Sequence, residues 1–140
     1  MVHLGALPGS PLYNKEIGIT GLIKEAKKDL EALQTAKFDA IMFGNENDRP
    51  YQLTVDTAST AAAAYIIGEL KKDIQIPFGV DMLWDPIATI ALGTATKANF
   101  VREIFTGTYS SDMGIWAPDA GKALRYRKNL GSEEMLLFFN

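Results

Sequence analysis

Cysteine is absent from the 140 residues, and histidine occurs once. The first absence excludes a disulfide scaffold, a zinc ribbon and a thiol nucleophile. The second leaves His3 as the one side chain whose ordinary titration falls near neutrality. Long apolar runs are missing too. The best of them, Ala61 to Leu70, is interrupted by Gly68 and Glu69, and a membrane span needs roughly 20 apolar residues. No integral membrane segment is expected. No basic flank leads into an apolar stretch at the N-terminus, so a signal peptide is not expected either, and a cytoplasmic location follows by default. Positive charge is not in excess. Lys plus Arg number 14 against 17 Asp plus Glu, a net charge of −3, which makes a poor nucleic-acid binder. What remains, 47% hydrophobic and 22% charged, is globular composition. A chain of this length buries roughly 68% of its unfolded surface. One α/β domain over residues 1–140 is the expectation.

Strand and helix signals alternate along the chain. Short apolar runs at Met1–Leu4, Asp39–Gly44, Ile76–Met82, Asn99–Phe105 and Met135–Phe139 read as strands. Between them, Leu22, Ala26, Leu30 and Leu33 make a helical stripe over Gly21–Ala36, with Thr20 as its expected N-cap. Asp56 or Thr57 caps an Ala-rich helix ending near Asp73. Asp85-Pro86 places an N-cap and a proline at the first helical position of a third helix, to about Lys97. A fourth runs from Pro118 to Leu130 and is stopped by Gly131. Leu7-Pro8-Gly9-Ser10 suits a type II turn. The stretch Thr106–Ala117 reads as one long loop.

Alternating βα units imply a parallel sheet with right-handed crossovers. Two architectures fit. A flavodoxin-like sheet has five parallel strands, but it needs a helix after the fifth strand, and Phe139-Asn140 leaves no room for one. A (β/α)8 barrel takes about 31 residues per unit, so this length supplies about four and a half units. A partial TIM barrel, its N-terminal half, is the preferred fold class. A full-length barrel is expected to be a homo-oligomer.

In either fold the site lies at the carboxyl edge of the strands. That edge carries His3, then Asn45, Glu46 and Asp48, then Asp81 and Asp85, then Arg102, Glu103 and Thr106. His3 is a candidate general acid or base, or else a hydrogen-bonded strand residue. Glu46 and Asp81 are candidate proton-transfer carboxylates or oxygen ligands for a divalent cation such as Mg²⁺, or else solvated loop charge. Asp81 ends an apolar strand, where an unpaired carboxylate is costly. Asp85 is better explained as a helix cap. Arg102 lies among Phe100, Val101 and Ile104 and needs a partner. It either holds a substrate carboxylate or phosphate, or pairs with a carboxylate of a neighbouring strand. Asn45, Thr106 and Gly107 are candidate substrate-binding residues. No Walker or G-x-G-x-x-G motif is present, and Ser110 and Ser111 lack a nucleophile-elbow context. Lys122, Arg125, Arg127 and Lys128 read as a solvated helix face, and Trp84 and Trp116 as rim or core packing.

Three stretches carry a family resemblance. They are Met1-Val2-His3-Leu4-Gly5-Ala6-Leu7-Pro8-Gly9-Ser10-Pro11, Ile76-Pro77-Phe78-Gly79-Val80-Asp81-Met82-Leu83-Trp84-Asp85-Pro86, and Phe100-Val101-Arg102-Glu103-Ile104-Phe105-Thr106-Gly107-Thr108-Tyr109 with Asp112-Met113-Gly114. In these the chain resembles the BtpA family, and within it the SgcQ-like branch that accompanies predicted sugar-uptake and sugar-catabolism genes. The resemblance covers the whole chain but about half of a family member. It implies a TIM barrel related to phosphate-binding barrels, and it brings no catalytic set with it. One member is tied to photosystem I biogenesis. Asp81 stands where the family pattern leads one to expect Asn. The functional expectation is therefore a barrel acting on a small anionic metabolite, a phosphorylated sugar or nucleoside-type compound. The alternative is a non-catalytic biogenesis or stability factor for a membrane complex such as photosystem I.

Overall fold

The computed structural model describes residues 1–140. Seven strands and four α-helices are arranged in the order β1 (Val2–His3), α1 (Gly18–Thr35), β2 (Ile41–Gly44), α2 (Thr57–Leu70), β3 (Phe78–Asp81), α3 (Pro86–Thr96), β4 (Phe100–Glu103), β5 (Tyr109–Ser111), β6 (Gly114–Trp116), α4 (Ala120–Asn129) and β7 (Leu136–Phe139). Five strands form one parallel sheet in the order β1-β2-β3-β4-β7.

That order never reverses. Each helix packs on the next, α1 on α2, α2 on α3 and α3 on α4. A flavodoxin-like sheet reverses its order at a switch point. The flavodoxin-like alternative is thereby excluded, and the topology is that of a partial (β/α)8 barrel.

The two faces of the sheet differ accordingly. Val2, Phe43, Val80 and Val101 share one face and are fully buried. With Leu30, Ile66, Ile67 and Ile90 they make the core beneath the helices. The other face corresponds to the barrel interior. It carries Met42, Gly79, Phe100 and Leu136 in one row, and His3, Gly44, Asp81, Arg102 and Phe138 in the next. Leu136 and Phe138 are exposed there.

Helix ends mostly obey local chemistry. Asp56 Oδ1 accepts from Ser59 N at 2.9 Å to cap α2, and Asp119 caps α4. Gly131 closes α4 at φ 67°, a conformation glycine adopts without steric cost. The Leu7–Ser10 turn forms, with Ser10 N donating to Leu7 O at 2.9 Å.

Two expectations are corrected. Helix α1 starts at Gly18, behind Ile17, so Thr20 lies inside its first turn and caps nothing. A turn at Asn14 is the reason: its side chain accepts from Glu16 N at 2.9 Å and its carbonyl from Gly18 N at 3.2 Å. The stretch 106–117 is not one loop but holds the β5–β6 hairpin, Tyr109 facing Trp116 and Ser111 facing Gly114. Gly114 at φ 94° supplies the positive φ such a tight turn needs.

Gly79 marks a close approach on the interior face. A Cβ there would lie 2.2 Å from the Phe100 ring, which itself stacks on Phe138 at 4.7 Å. Gly79→Ala should therefore cost about 1 to 3 kcal/mol through overpacking. Urea unfolding of the variant checks this, and an unchanged midpoint would refute it.

Candidate functional site

Strand β3 ends on Asp81, whose register partners are Gly44 on one side and, one position beyond Val80 and Val101, Arg102 on the other. Pairing of neighbouring parallel strands thus places the two charged side chains side by side on the interior face. Arg102 Nη2 donates to Asp81 Oδ2 at 3.3 Å. The contact is single and long. Asp81 Oδ1 and Arg102 Nε are both buried and have no partner.

The partners differ sharply in exposure. The Asp81 side chain is 1% exposed and that of Arg102 36%. Burial pushes the Asp81 carboxyl up to about 7, the Arg102 charge and hydrogen bond pull against this, and Glu46 raises it further. A carboxyl poised there exchanges protons at neutral pH.

Glu103 stands at the carboxyl edge in the sequence, but sequence reasoning gave it no catalytic or binding role. Strand alternation puts it on the face opposite Arg102, beneath the helix layer, where it is 3% exposed. Its Oε1 accepts from Trp84 N at 2.6 Å, and its Oε2 accepts from Ile104 N. Burial again dominates and lifts it to about 7. The charge of Asp81 adds to this, while the two N–H donors and Arg102 oppose it. The available signal was the alternation itself: a carboxylate on the helix-facing side of an apolar strand has no water to turn to.

The β3–α3 loop reaches Glu103 through Trp84, which sits at φ 73°, an uncommon backbone for a bulky residue. Its ring meets Trp116 edge-on at 5.3 Å, and Tyr109 lies 5.9 Å from Trp116. The hairpin thus packs Trp116 against the ring of Trp84, whose backbone N–H holds Glu103.

The remaining candidates scatter. His3 is exposed and shares a row with Asp81. Only Gly44 separates them, so two strand spacings, about 10 Å, lie between their backbones. Glu46 is half-buried and acts on Asp81 through its charge. Asn45 is buried, and its side-chain oxygen accepts from Leu83 N at 2.8 Å, tying the β2 and β3 loops together. Asp48 Oδ1 accepts from Leu7 N at 2.7 Å, and burial raises its pKa. Thr106 and Gly107 are exposed and open the hairpin, where the Tyr109 hydroxyl donates to Thr106 O at 3.1 Å. The structure joins Asp81 to Arg102, lets the charge of Glu46 act on Asp81, and ties neither Thr106 nor Gly107 to them by any hydrogen bond. Of the basic cluster, Arg127 is used internally, donating to the carbonyls of Ser132, Glu133 and Met135. No three His, Asp or Glu side chains converge in a way that could hold a metal ion.

Fold and site together define a β/α-barrel half with an acid–guanidinium pair at the carboxyl edge of its third and fourth strands. The BtpA family model matches residues 1–140, and the chain belongs to that family. It is 48% identical over its whole length to the putative sgc region protein SgcQ of Escherichia coli, covering 52% of that protein. It is 36% identical over 135 residues to an uncharacterized protein of Thermococcus kodakarensis, with 95% of this chain and 51% of that one aligned. Over 140 residues it is 30% identical to the photosystem I biogenesis protein BtpA of Synechocystis, 98% of this chain against 48% of the relative. The chain thus spans about half the length of the curated relatives it matches. No solved structure matches it. No helix is long and apolar enough to cross a membrane.

Proposed function

We propose that this chain supplies the anion-holding and proton-transfer groups of a barrel enzyme acting on a small phosphorylated sugar or nucleoside-type metabolite. The observation that carries the proposal is the Asp81–Arg102 pair. It joins a buried carboxyl titrating near neutrality to a guanidinium that spends one nitrogen on it. Arg102 holds the anionic group of the substrate, since its planar fork can offer two parallel donors to a phosphate or carboxylate. Asp81 moves a proton, and His3, in the same row, serves as its counterpart across the Gly44 gap. Glu46 accepts from a substrate hydroxyl. The reaction class is acid–base chemistry such as isomerisation, epimerisation or hydrolysis. Membership of one family with SgcQ supports sugar chemistry by association only.

The test is calorimetric titration of the intact protein with a panel of sugar phosphates. Binding at millimolar concentration or better is expected, with Arg102→Ala weakening it about 30- to 150-fold, the loss of a charge-assisted contact of about 2 to 3 kcal/mol. Failure of every sugar phosphate to bind would refute the proposal.

The Synechocystis relative supports a second reading, a non-catalytic factor in the biogenesis of a membrane complex. On that reading Asp81→Ala and His3→Ala leave function intact in a complementation assay.

A further inference from the structure

We propose that Asp81 and Arg102 form a proton-coupled anion site: Arg102 leaves Asp81 to hold an oxyanion, and Asp81 takes up a solvent proton as it does so. This inference rests on the anion-holding role proposed above for Arg102 and adds the fate of the carboxylate left behind.

The geometry is that of a pair only partly closed. A carboxylate and a guanidinium can join through two short bonds, yet here one contact at 3.3 Å joins them. Asp81 Oδ1 and Arg102 Nε stay buried and unpartnered. Arg102 is more than a third exposed, and Asp81 is its one hydrogen-bond partner. It can turn away from Asp81 along the interior face, where Phe138 is its register partner. Asp81 has no such freedom. It is almost wholly enclosed, with Arg102 as its one hydrogen-bond partner and the one cation acting on it.

The charges around Asp81 determine its protonation once Arg102 departs. Glu46 bears on it from the β2 loop, and Glu103 senses it from β4. Both are acidic. His3 lies two strands away in the same row. When Arg102 turns to an anion, the carboxyl loses its one compensating charge and gains a further negative neighbour. An uncompensated buried charge is costly, and the group neutralises instead. Linkage makes this reciprocal: a protonated Asp81 releases Arg102, so anion and proton bind together. Arg102 already works against a carboxyl sitting at about 7, so coupling arises above about pH 7 and vanishes below it, where the proton is already in place.

Inorganic sulfate is the probe, because it does not titrate near neutrality. Calorimetric titration of the intact protein near pH 8, in two buffers of different ionisation enthalpy, should show about half to one proton taken up per sulfate bound. Sulfate affinity should be flat below about pH 7 and fall up to tenfold per pH unit above it. Asp81→Asn should abolish both the uptake and the slope. Sulfate binding with no proton uptake, or a slope that survives in Asp81→Asn, overturns the coupling and leaves the anion-holding role of Arg102 standing. Binding of neither sulfate nor any sugar phosphate overturns both.

Discussion

Asp81→Asn should make the protein more stable at pH 8. The buried carboxyl titrates near 7 in the fold against an ordinary value of 3.8, so the folded state binds this proton more tightly than the unfolded chain. Between about pH 4 and 7 the folded protein keeps a proton that the unfolded chain has released. Stability from this group is complete below about pH 4 and is lost as pH rises to about 7, at up to about 1.4 kcal/mol per unit. Glu103, also raised to about 7, slopes the same way. The neutral amide escapes the cost of enclosing a charge and can still accept from Arg102. We expect a gain of about 2 to 4 kcal/mol at pH 8 and none near pH 4, a rise in Tm of roughly 5 to 12 °C at the higher pH. Thermal unfolding at the two pH values checks this, and equal Tm values for variant and parent at pH 8 would count against the buried-charge account. Under the proposed function the same change removes a proton carrier, with a loss of about 10² to 10⁴ in turnover. Stability gained where activity is lost is the signature of a group kept for chemistry.

Asp85→Ala should cost about 3 kcal/mol, far more than an ordinary helix cap. Its Oδ1 accepts from Ile87 N and Ala88 N, both at 3.0 Å, and closes the N-terminus of α3. Its Oδ2 accepts from Val55 N at 2.9 Å, just before α2. One buried carboxylate therefore satisfies donors of two segments 30 residues apart. The cap contributes about 1 kcal/mol, and the charge-assisted bond to Val55 about 1.5 to 3. Asp85→Asn keeps an acceptor for the cap but can turn an N–H donor toward Val55 N, so roughly half the loss is expected. Urea unfolding separates the two variants. A loss below about 1 kcal/mol for Asp85→Ala would mean that the Val55 link carries nothing.

Much of the architecture was legible because its signals are local. The Leu22–Ala26–Leu30 stripe needs only the 3.6-residue period, and all three residues are buried in α1. Asp56 and Asp85 announced helix starts through capping chemistry that reaches three residues. The opposite orientations of Arg102 and Glu103 came from strand alternation, and so did a carboxylate of a neighbouring strand as the partner Arg102 needed. The hairpin at Tyr109–Trp116 was missed because a single Gly114 in a hydroxyl-rich stretch is a weak turn signal. The early start of α1 was missed because an Asn14 turn outcompeted the Thr20 cap.

The candidate site was legible as a set of residues but not as an arrangement. Asp81 and Arg102 could be named, yet their 3.3 Å contact depends on the register of β3 against β4. Glu103 could be placed at the carboxyl edge, yet its enclosure depends on the β3–α3 loop, which reaches it through Trp84 N. Asn45, a candidate ligand group, has its side-chain oxygen tied to Leu83 N.

By itself, then, the sequence determined the alternation of strands and helices, their caps and the residue types at the carboxyl edge. These depend on periods and hydrogen bonds that reach a few residues along the chain. Tertiary structure alone decided the contact between Asp81 and Arg102 and the enclosure of two carboxyls that titrate near neutrality. Those depend on desolvation and charge acting through space between strands some 20 residues apart.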